Sequence, residues 1–566
     1  MKKSFLNIAL FLGILIGINI IANLKYGHLD LTEEKRFTLT EPTKNLLHDL
    51  DDIVLVQVML EGDFPAGFKR LQRATRDLLE DFRSESGFIE YEFTNPNEGS
   101  VEDINKRRET LSKQGINPVN LKVKDNDGSS ETLIYPYALI SFNDKVMPIN
   151  LLEPEVPGVS PEVILNNSIS LLEYKFANAI QKMGARYNKP NILFTEGHGE
   201  LFPLQTRDLE NSLSAFYDLG RINLDSIVSL KPDDCAVLIV AKPVYPFTER
   251  QKFVLDQFVM NGGKVIWLID NINVNLDSLT GKRHYTAFPF DLNLDDLLFK
   301  YGIRIQPDLV LDMQCTRIPQ VVGSQGNNPQ IELFPYYYHP VSVPRSNHPI
   351  VKGLEGVNLY FPSSIDTVKA KYPLQRYVLL ESSEFSRIQL SPVRLDFEIL
   401  KYKPDPDKFN KSFLPMAVLS EGRFASLYEN RVSEGMMQGL TQLGETFKNE
   451  SEPTKMVVVA DGDVARNLID PTRDAFQPLG YNQYERYKFA NKEFLLNTIE
   501  YLMDDNGIIT ARSKEVKLRL LNTVKAEKEE TKWQLLNIGL PLVFLILFGL
   551  AFHWFRKRKY AQSSKN

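Results

Sequence analysis

The chain has 566 residues, 43% of them apolar and 24% charged. That length exceeds what a single hydrophobic core serves and the composition is that of ordinary globular protein, so two to four domains are expected and extensive disorder is excluded. The net charge of −6 hides an asymmetry: Lys2, Lys3, Arg556, Lys557, Arg558, Lys559 and Lys565 lie in the tails, and without these seven the chain carries 59 basic against 72 acidic residues, a net of −13, which argues against nucleic acid as a partner.

Residues 5–24 contain no charge and are long enough to cross a bilayer as a helix. The run exceeds the apolar core of a usual signal peptide and no small-x-small cleavage site follows it, so residues 1–25 read as an anchor. Gly13 and Gly17 give it a G-x-x-x-G spacing that lets a second helix approach, although such a spacing often means nothing. A second span, 535–555, is flanked by Trp533 and Trp554 and closed by Arg-Lys-Arg-Lys. Basic residues lie outside both spans, so the positive-inside rule places both termini, including the tail 556–566, in the cytoplasm and the bulk on the far side of the membrane.

The first α/β domain is expected over 26–160. Pro42 suits the first turn of a helix capped by Thr40 or Glu41, with Leu46, Leu47 and Leu50 on its apolar side. Strands at 53–60 and 88–93 flank a helix at 68–82 carrying Phe68, Leu71, Leu78, Leu79 and Phe82 on one side, a βαβ unit with a right-handed crossover. A helix at 106–114 follows, then a hairpin of 133–142 with 145–151 turning at Asn143-Asp144. This order is similar to a thioredoxin-like layout, but without a C-x-x-C the redox chemistry of that fold is absent. The Pro-rich stretch 153–161 closes the domain, and one helix, 164–183, dominates a bridge spanning 161–189.

The second domain, 190–507, opens with an apolar strand at 191–195 bounded by Pro190 and Gly197, as in a parallel sheet covered on both faces. A helix at 206–219, a strand at 235–241, a helix at 248–261 ended by Gly262-Gly263 and a strand at 264–269 call for a doubly wound sheet of the flavodoxin or amidotransferase type. A helix at 291–301 stops at Gly302. Residues 303–450 read as an irregular insertion with short strand-like runs at 377–380 and 416–419; a parallel-type strand returns at 456–460, and 491–503 is helical. No Gly or Pro occurs from Ile508 to Ile538, so 512–555 is expected as one helix, with a stalk at 508–534 that transmits movement to the second span.

Candidate sites are few. Glu196, His198 and Glu200 in E-G-H-G-E project near the carboxyl end of a strand, the edge where open α/β sheets bind ligands; a small-ligand or metal site competes there with a plain polar turn. Asp461 and Asp463 after the strand at 456–460 either hold a hard cation or cap the next helix. The chain lacks G-x-x-x-x-G-K-[ST], G-x-S-x-G and H-E-x-x-H, which speaks against an ATPase of that type, an α/β-hydrolase and a zinc hydrolase. Asn347-His348-Pro349-Ile350 with Gly353-Leu354 is similar to a stretch of amidotransferase-like domains, yet their nucleophilic Cys has no counterpart: Asp270-Asn271 follow Ile269, and Cys235 begins its strand. Cys235 and Cys315 are expected as buried free thiols, although an oxidising compartment would allow pairing.

L-T-E-E-K-R-F-T-L-T at 31–40, F-T-E-G-H-G-E at 194–200 and A-R-S-K-E-V-K-L-R-L-L at 511–521, between two spans, resemble the GldG family over essentially the full chain. The resemblance implies the auxiliary, substrate-binding-like component of an ABC-type system of gliding bacteria, in the inner membrane with a periplasmic body, partnered by a GldF-like permease and a cytoplasmic GldA-like ATPase. It implies neither catalytic residues nor a cofactor. The alternative is a membrane-anchored hydrolase or amidase using Glu196, His198 and Glu200; a homo-oligomer is compatible with either. The topology predicts that a membrane-impermeant thiol reagent applied to intact inner membranes labels Ser129→Cys and spares Ser563→Cys. Labelling of both from outside overturns it.

Overall fold

The computed structural model describes residue 13 and residues 38–125, 128–143, 145–153, 160–184, 189–279, 282–325, 328–400, 404–442, 444, 446–470, 475–513 and 523–561. The expected span 5–24, most of the motif 31–40, most of the Pro-rich stretch 153–161 and residues 514–522 lie outside these. The chain divides into two compact units, Met1–Glu515 and Val516–Asn566.

Helix α1, Glu41–His48, has Pro42 in its first turn and Leu47 fully buried as expected; Thr40 stands at its N-cap position but its side chain makes no capping bond. The Thr40 N–H and hydroxyl both donate to Glu173, at 2.7 and 2.9 Å. Strand β1, Val54–Val58, pairs in parallel with β2, Ile89–Phe93, across α2, Ala66–Glu85, which buries Phe68, Leu71, Leu79 and Phe82. After α3, Val101–Lys113, comes a hairpin outside the expected set, β3 Val119–Asp125 with β4 Gly128–Ile134. It takes Leu133 and Ile134 from the run expected at 133–142, because Pro136 cannot donate to a ladder and breaks that run. The expected hairpin is β5, Tyr137–Phe142, with β6, Lys145–Asn150, and Asn143 takes a left-handed φ of 50° at its turn. The four-stranded order is β2-β1-β5-β6, with β5 antiparallel to both neighbours.

The bridge is two helices instead of one, α4 Pro161–Ser170 and α5 Leu172–Gly184. The Ser168 hydroxyl donates to the Ile164 carbonyl at 2.7 Å and accepts from the Glu153 N–H at 2.9 Å, side-chain competition of the kind that bends helices.

The second sheet has seven strands. In chain order they are β7 Asn191–Glu196, β8 Asp218–Asn223, β9 Val237–Ala241, β10 Lys264–Leu268, β11 Leu374–Glu381, β12 Pro415–Gly422 and β13 Thr454–Val459; in space they run β11-β12-β13-β10-β9-β7-β8. Strands β8, β7, β9, β10 and β13 are mutually parallel, and β12 and β11 add an antiparallel edge. Strand β9 is buried at every position, as a sheet covered on both faces requires.

Helix α6, Pro203–Leu213, is shorter than the expected 206–219, whose last residues turn into β8. Backbone pairing with β7 overrides helical propensity there. Helix α7, Glu249–Met260, begins with a reciprocal capping box between Thr248 and Gln251. Helix α8, Asp295–Lys300, ends at Gly302, whose φ of 84° suits glycine. Strands β11 and β12 come from within 303–450, so that region completes the main sheet as well as elaborating on it. Cys235 is buried and Cys315 half-buried; both are free, and burial pushes each thiol up to about 12.

Helix α9, Asn491–Met503, joins the two sheets. Its Glu500 accepts from Lys182 of α5 at 2.5 Å and from the Tyr174 hydroxyl. Residues Ile508–Ser513 form a 3-10 stretch whose Ile508, Ile509 and Ala511 enter the first core, so they belong to the body instead of opening the stalk. The second unit contains α10, Thr523–Ala561, interrupted chemically only by Pro541. Within it Glu529–Arg558 is the one helix among the described residues long and apolar enough to cross a membrane.

Burial opposes ionisation of Glu500, but Lys182, Tyr174 and Arg512 more than offset it and hold the carboxyl below its ordinary range. A depressed acid contributes stability above its unfolded pKa and loses it as pH falls through the folded value. Glu500→Gln is therefore expected to destabilise the detergent-solubilised chain by about 3 kcal/mol at neutral pH. The difference from wild type should shrink as pH drops below the ordinary glutamate range, read by thermal unfolding. A gap independent of pH would remove Glu500 as the ionised partner.

Candidate functional site

The five parallel strands of the second sheet stand in the order 2-1-3-4-5 by chain position, which puts the topological switch between β7 and β9. Loops leaving neighbouring strands in opposite directions open a crevice at such a point, outside the carboxyl ends. Here the crevice is filled by the chain itself. The N–H groups of Val244 and Tyr245 both donate to the His198 carbonyl, at 2.8 and 2.9 Å, zipping the loop after β9 to the loop after β7. Gly199 makes this approach possible: its φ is 75°, and a Cβ there would meet Val244 at 2.3 Å.

The residues of E-G-H-G-E separate. Glu196 ends β7 exposed, whereas His198 and Glu200 are buried together. The Glu200 carboxylate accepts from the His198 N–H at 2.7 Å and lies 3.2 Å from its Nδ1; the imidazole stacks on Phe247 with centroids 3.8 Å apart. Burial works against charging His198, but Glu200, Gln251 and Asp225 more than compensate and raise its pKa; burial likewise opposes ionisation of Glu200, which His198 and backbone N–H groups hold below the ordinary range. The pair ties down its own loop.

On the far side of the β9 loop lies a second constellation. Lys242 directly follows β9, Asp270 lies two residues beyond β10, and Asp461 two beyond β13, so three adjacent strands deliver polar groups to one edge. The Lys242 ammonium is 3.0 Å from Asp270 and 2.5 Å from Asp463. Asp461 accepts from the Tyr360 N–H and the Asp463 N–H, both at 2.8 Å, and Asp270 accepts from the Gly462 N–H at 2.5 Å. Gly462 is required, since a Cβ would come within 2.6 Å of the Lys242 Cβ. Lys242 itself takes a left-handed φ of 59°, a conformation sparsely used by non-glycine residues and held only where surroundings over-determine it.

The electrostatics separate the three acids. Burial, then Asp270 and Asp463, raise Asp461 well above its ordinary range, against the pull of the Tyr360 N–H and Lys242. Burial raises Asp270 as well, against the pull of Lys242. Burial also opposes ionisation of Asp463, but Lys242 and Arg466 more than offset it and lower its pKa. Beside them His339 is buried, and burial takes its pKa down to about 3, which keeps it neutral. Of the two readings open for Asp461 and Asp463, a hard-cation site or a turn that caps the next helix, the geometry shows the Asp463 N–H bonded to Asp461 and the Lys242 ammonium beside Asp463.

Sequence reasoning found Asp461 and Asp463 but missed Lys242 and Asp270. The signal was present: V-L-I-V-A-K, V-I-W-L-I-D and M-V-V-V-A-D are apolar strands that each end in a charge. Truncating one partner of a buried ion pair leaves the others uncompensated. Lys242→Met is therefore expected to cost about 3–5 kcal/mol of unfolding free energy, and adding Asp463→Asn should cost less than the sum of the single changes. Strict additivity in denaturant unfolding would show that the ammonium does not bridge the acids.

Residues 33–141 match the domain of unknown function DUF7088. An uncharacterized protein of Borreliella burgdorferi is 22% identical over 99% of both chains. Among solved structures, similarity extends to the mmIFT52 N-terminal domain (14% identity, TM-score 0.30, 56% of this chain and 97% of that one) and to a ThuA-like protein from Parabacteroides merdae (10%, 0.25, 59% and 94%). At such scores neither bears on the fold. Residues 189–498, more than half of the chain and the whole of the sheet with its carboxyl-edge cluster, match the auxiliary family of an ABC-type uncharacterized transport system, and the chain belongs to that family.

Proposed function

We propose that this chain is a non-enzymatic, membrane-anchored subunit of an ABC-type transport complex serving bacterial gliding, with two spans, both termini cytoplasmic and its bulk in the periplasm. Association with an ABC transporter complex and with the membrane follows from the family and from the apolar helix Glu529–Arg558. The finer reading, a GldG-like subunit in the inner membrane with a GldF-like permease and a GldA-like ATPase, draws its support from the motifs at 31–40, 194–200 and 511–521. Lacking a Walker-type loop, the chain depends on a separate ATPase for energy. The order β2-β1-β5-β6, with β5 antiparallel, supports a thioredoxin-like first domain, and the 2-1-3-4-5 order supports a flavodoxin-like second one.

One observation carries the non-enzymatic reading. At the sheet edge where α/β proteins of this order bind small molecules, His198 is stacked on Phe247 and Lys242 is locked between Asp270 and Asp463. Side chains committed to one another are poor acids, bases or nucleophiles, so the body offers a contact surface, to which Glu196 contributes. The hydrolase or amidase alternative has lost its geometry, since Glu196 stands outside the buried His198–Glu200 pair.

Affinity purification of the tagged chain from native membranes is expected to bring down a polytopic permease and a Walker-motif ATPase, and His198→Ala should confer no loss of any hydrolytic activity of the complex other than ATP turnover. Recovery of the chain without a permease overturns the assignment; normal gliding of cells lacking the gene removes the motility part alone.

A further inference from the structure

Between the cores of the two sheets lies a cavity of about 200 Å3. Helix α5 contributes Tyr174 and Lys182, the end of α9 contributes Glu500 and the adjoining Asp504, and the turn before β8 adds Phe216 and Tyr217. Tyr174 belongs to the first core and Tyr217 to the second, so the two share the cavity. Pro190 also lines it, and Pro190 and Tyr217 directly precede β7 and β8, which places it at the amino edge of the second sheet, away from the constellations at the carboxyl edge. Glu500 is already satisfied there: Lys182, at 2.5 Å, and the Tyr174 hydroxyl both donate to it. The Lys182 ammonium also stands 4.4 Å from the centroid of the Phe216 ring, so this lining holds one cation on an aromatic face.

Asp504 is not satisfied. Its Oδ2 accepts from the Ile509 N–H at 2.6 Å, whereas its Oδ1 is buried without a hydrogen-bond donor. Among the described residues no Lys, Arg or His pairs with this carboxylate; Lys264 goes to the next acid, Asp505, at 2.9 Å. Asp504 is also the C-cap of α9, the end where the helix dipole is negative and an acid is disfavoured. Burial, then Glu500 and Asp504, push the Tyr217 hydroxyl above its ordinary range, so the field of both acids reaches the aromatic lining. A carboxylate without a counter-ion, a buried oxygen without a donor and aromatic faces make one demand, a cation that also donates a hydrogen bond. Volume bounds its size: a cavity of about 150 Å3 accommodates benzene, so this one takes a ligand of roughly six to ten non-hydrogen atoms.

We propose that this cavity binds a small organic primary ammonium ion, whose N–H groups bond the Asp504 carboxylate while its carbon chain lies against Phe216 and Tyr217. A carboxylate or phosphate ligand would be repelled by Asp504 and Glu500. A quaternary ammonium would meet the aromatic faces but bring no donor to Oδ1. The lining comes from both cores, including Ile508 and Ile509 of the first, so the ligand recognises only the arrangement in which they are joined, and its binding free energy adds to the stability of that arrangement.

The test is calorimetric titration of the full-length, detergent-solubilised chain with n-butylammonium, together with melting in its presence. Saturable binding is expected, with a melting temperature that climbs as the ligand is added. The neutral analogue n-butanol and the anion butyrate should give neither, and choline should bind more weakly. Asp504→Asn keeps an acceptor for the Ile509 N–H and should melt as wild type does, yet lose a charge-assisted bond and weaken binding about tenfold or more. Gln181→Lys, which brings a tethered ammonium to the same lining, should abolish binding whether or not the Asp504 variant folds. The proposal is overturned by the absence of saturable binding, by butanol or choline binding as tightly as butylammonium, or by an Asp504→Asn or Gln181→Lys chain that binds as wild type does.

Discussion

A single ammonium group, that of Lys242, sits between two carboxyl groups, those of Asp270 and Asp463, at the carboxyl edge of a buried parallel sheet, and much of the surrounding structure is arranged to keep it there. Charges taken out of water are tolerated only when paired, and Lys242 is paired by charge with Asp270 and Asp463 although its buried ammonium makes no well-aligned hydrogen bond. Each requirement reaches a different part of the chain. Lys242 needs a left-handed backbone to turn its side chain back over the sheet. Asp270 needs the Gly462 N–H, and Gly462 must lack a Cβ to pass Lys242. Asp461 holds the Tyr360 N–H, so the region between β10 and β13 is hinged to the same cluster. The three central strands, their loops and the insertion thus share one electrostatic constraint.

The His198 loop obeys the same logic with weaker charges. Its carbonyl accepts two N–H groups from the β9 loop and its ring covers Phe247. The two constellations lie on either side of the loop after β9, so a disturbance of that loop is felt by both. A second link, from Glu500 to Lys182 and Tyr174, joins the two sheets within one compact unit, with Arg512 over the Tyr174 ring completing it. Residues 508–513 therefore touch both the first core, through Ile508, Ile509 and Ala511, and α9, through Arg512 and Asn497.

Composition and periodicity determined a good deal. Runs rich in apolar residues marked β1, β2, β7, β9, β10 and β13 within a few residues, and capping chemistry marked α7, because these signals are local; β9, buried at every position, has no polar residue to blur its run. Helix α9 was legible for the same reason. The membrane-capable helix needed only length and hydropathy.

Other features were decided by contacts between residues far apart in the chain. Residues 214–223 carry no strong strand pattern, and β8 exists because β7 offers a free edge. Leu374–Glu381 and Pro415–Gly422 looked like fragments of an insertion, yet β12 pairs with β13 and β11 with β12, which makes both strands of the main sheet. The continuous helical pattern of 164–183 is divided at Leu171, three residues beyond Ser168, which bonds to Ile164 and accepts from Glu153. The site was split in the same way. Glu196, His198 and Glu200 lie within five residues, yet Glu196 is exposed and the other two are buried, whereas Lys242, Asp270 and Asp463 are separated by 28 and 193 residues and meet only because a parallel sheet aligns the carboxyl ends of β9, β10 and β13. Sequence fixes what each strand delivers to its end; strand order, which depends on crossovers and long-range burial, decides which of those ends become neighbours.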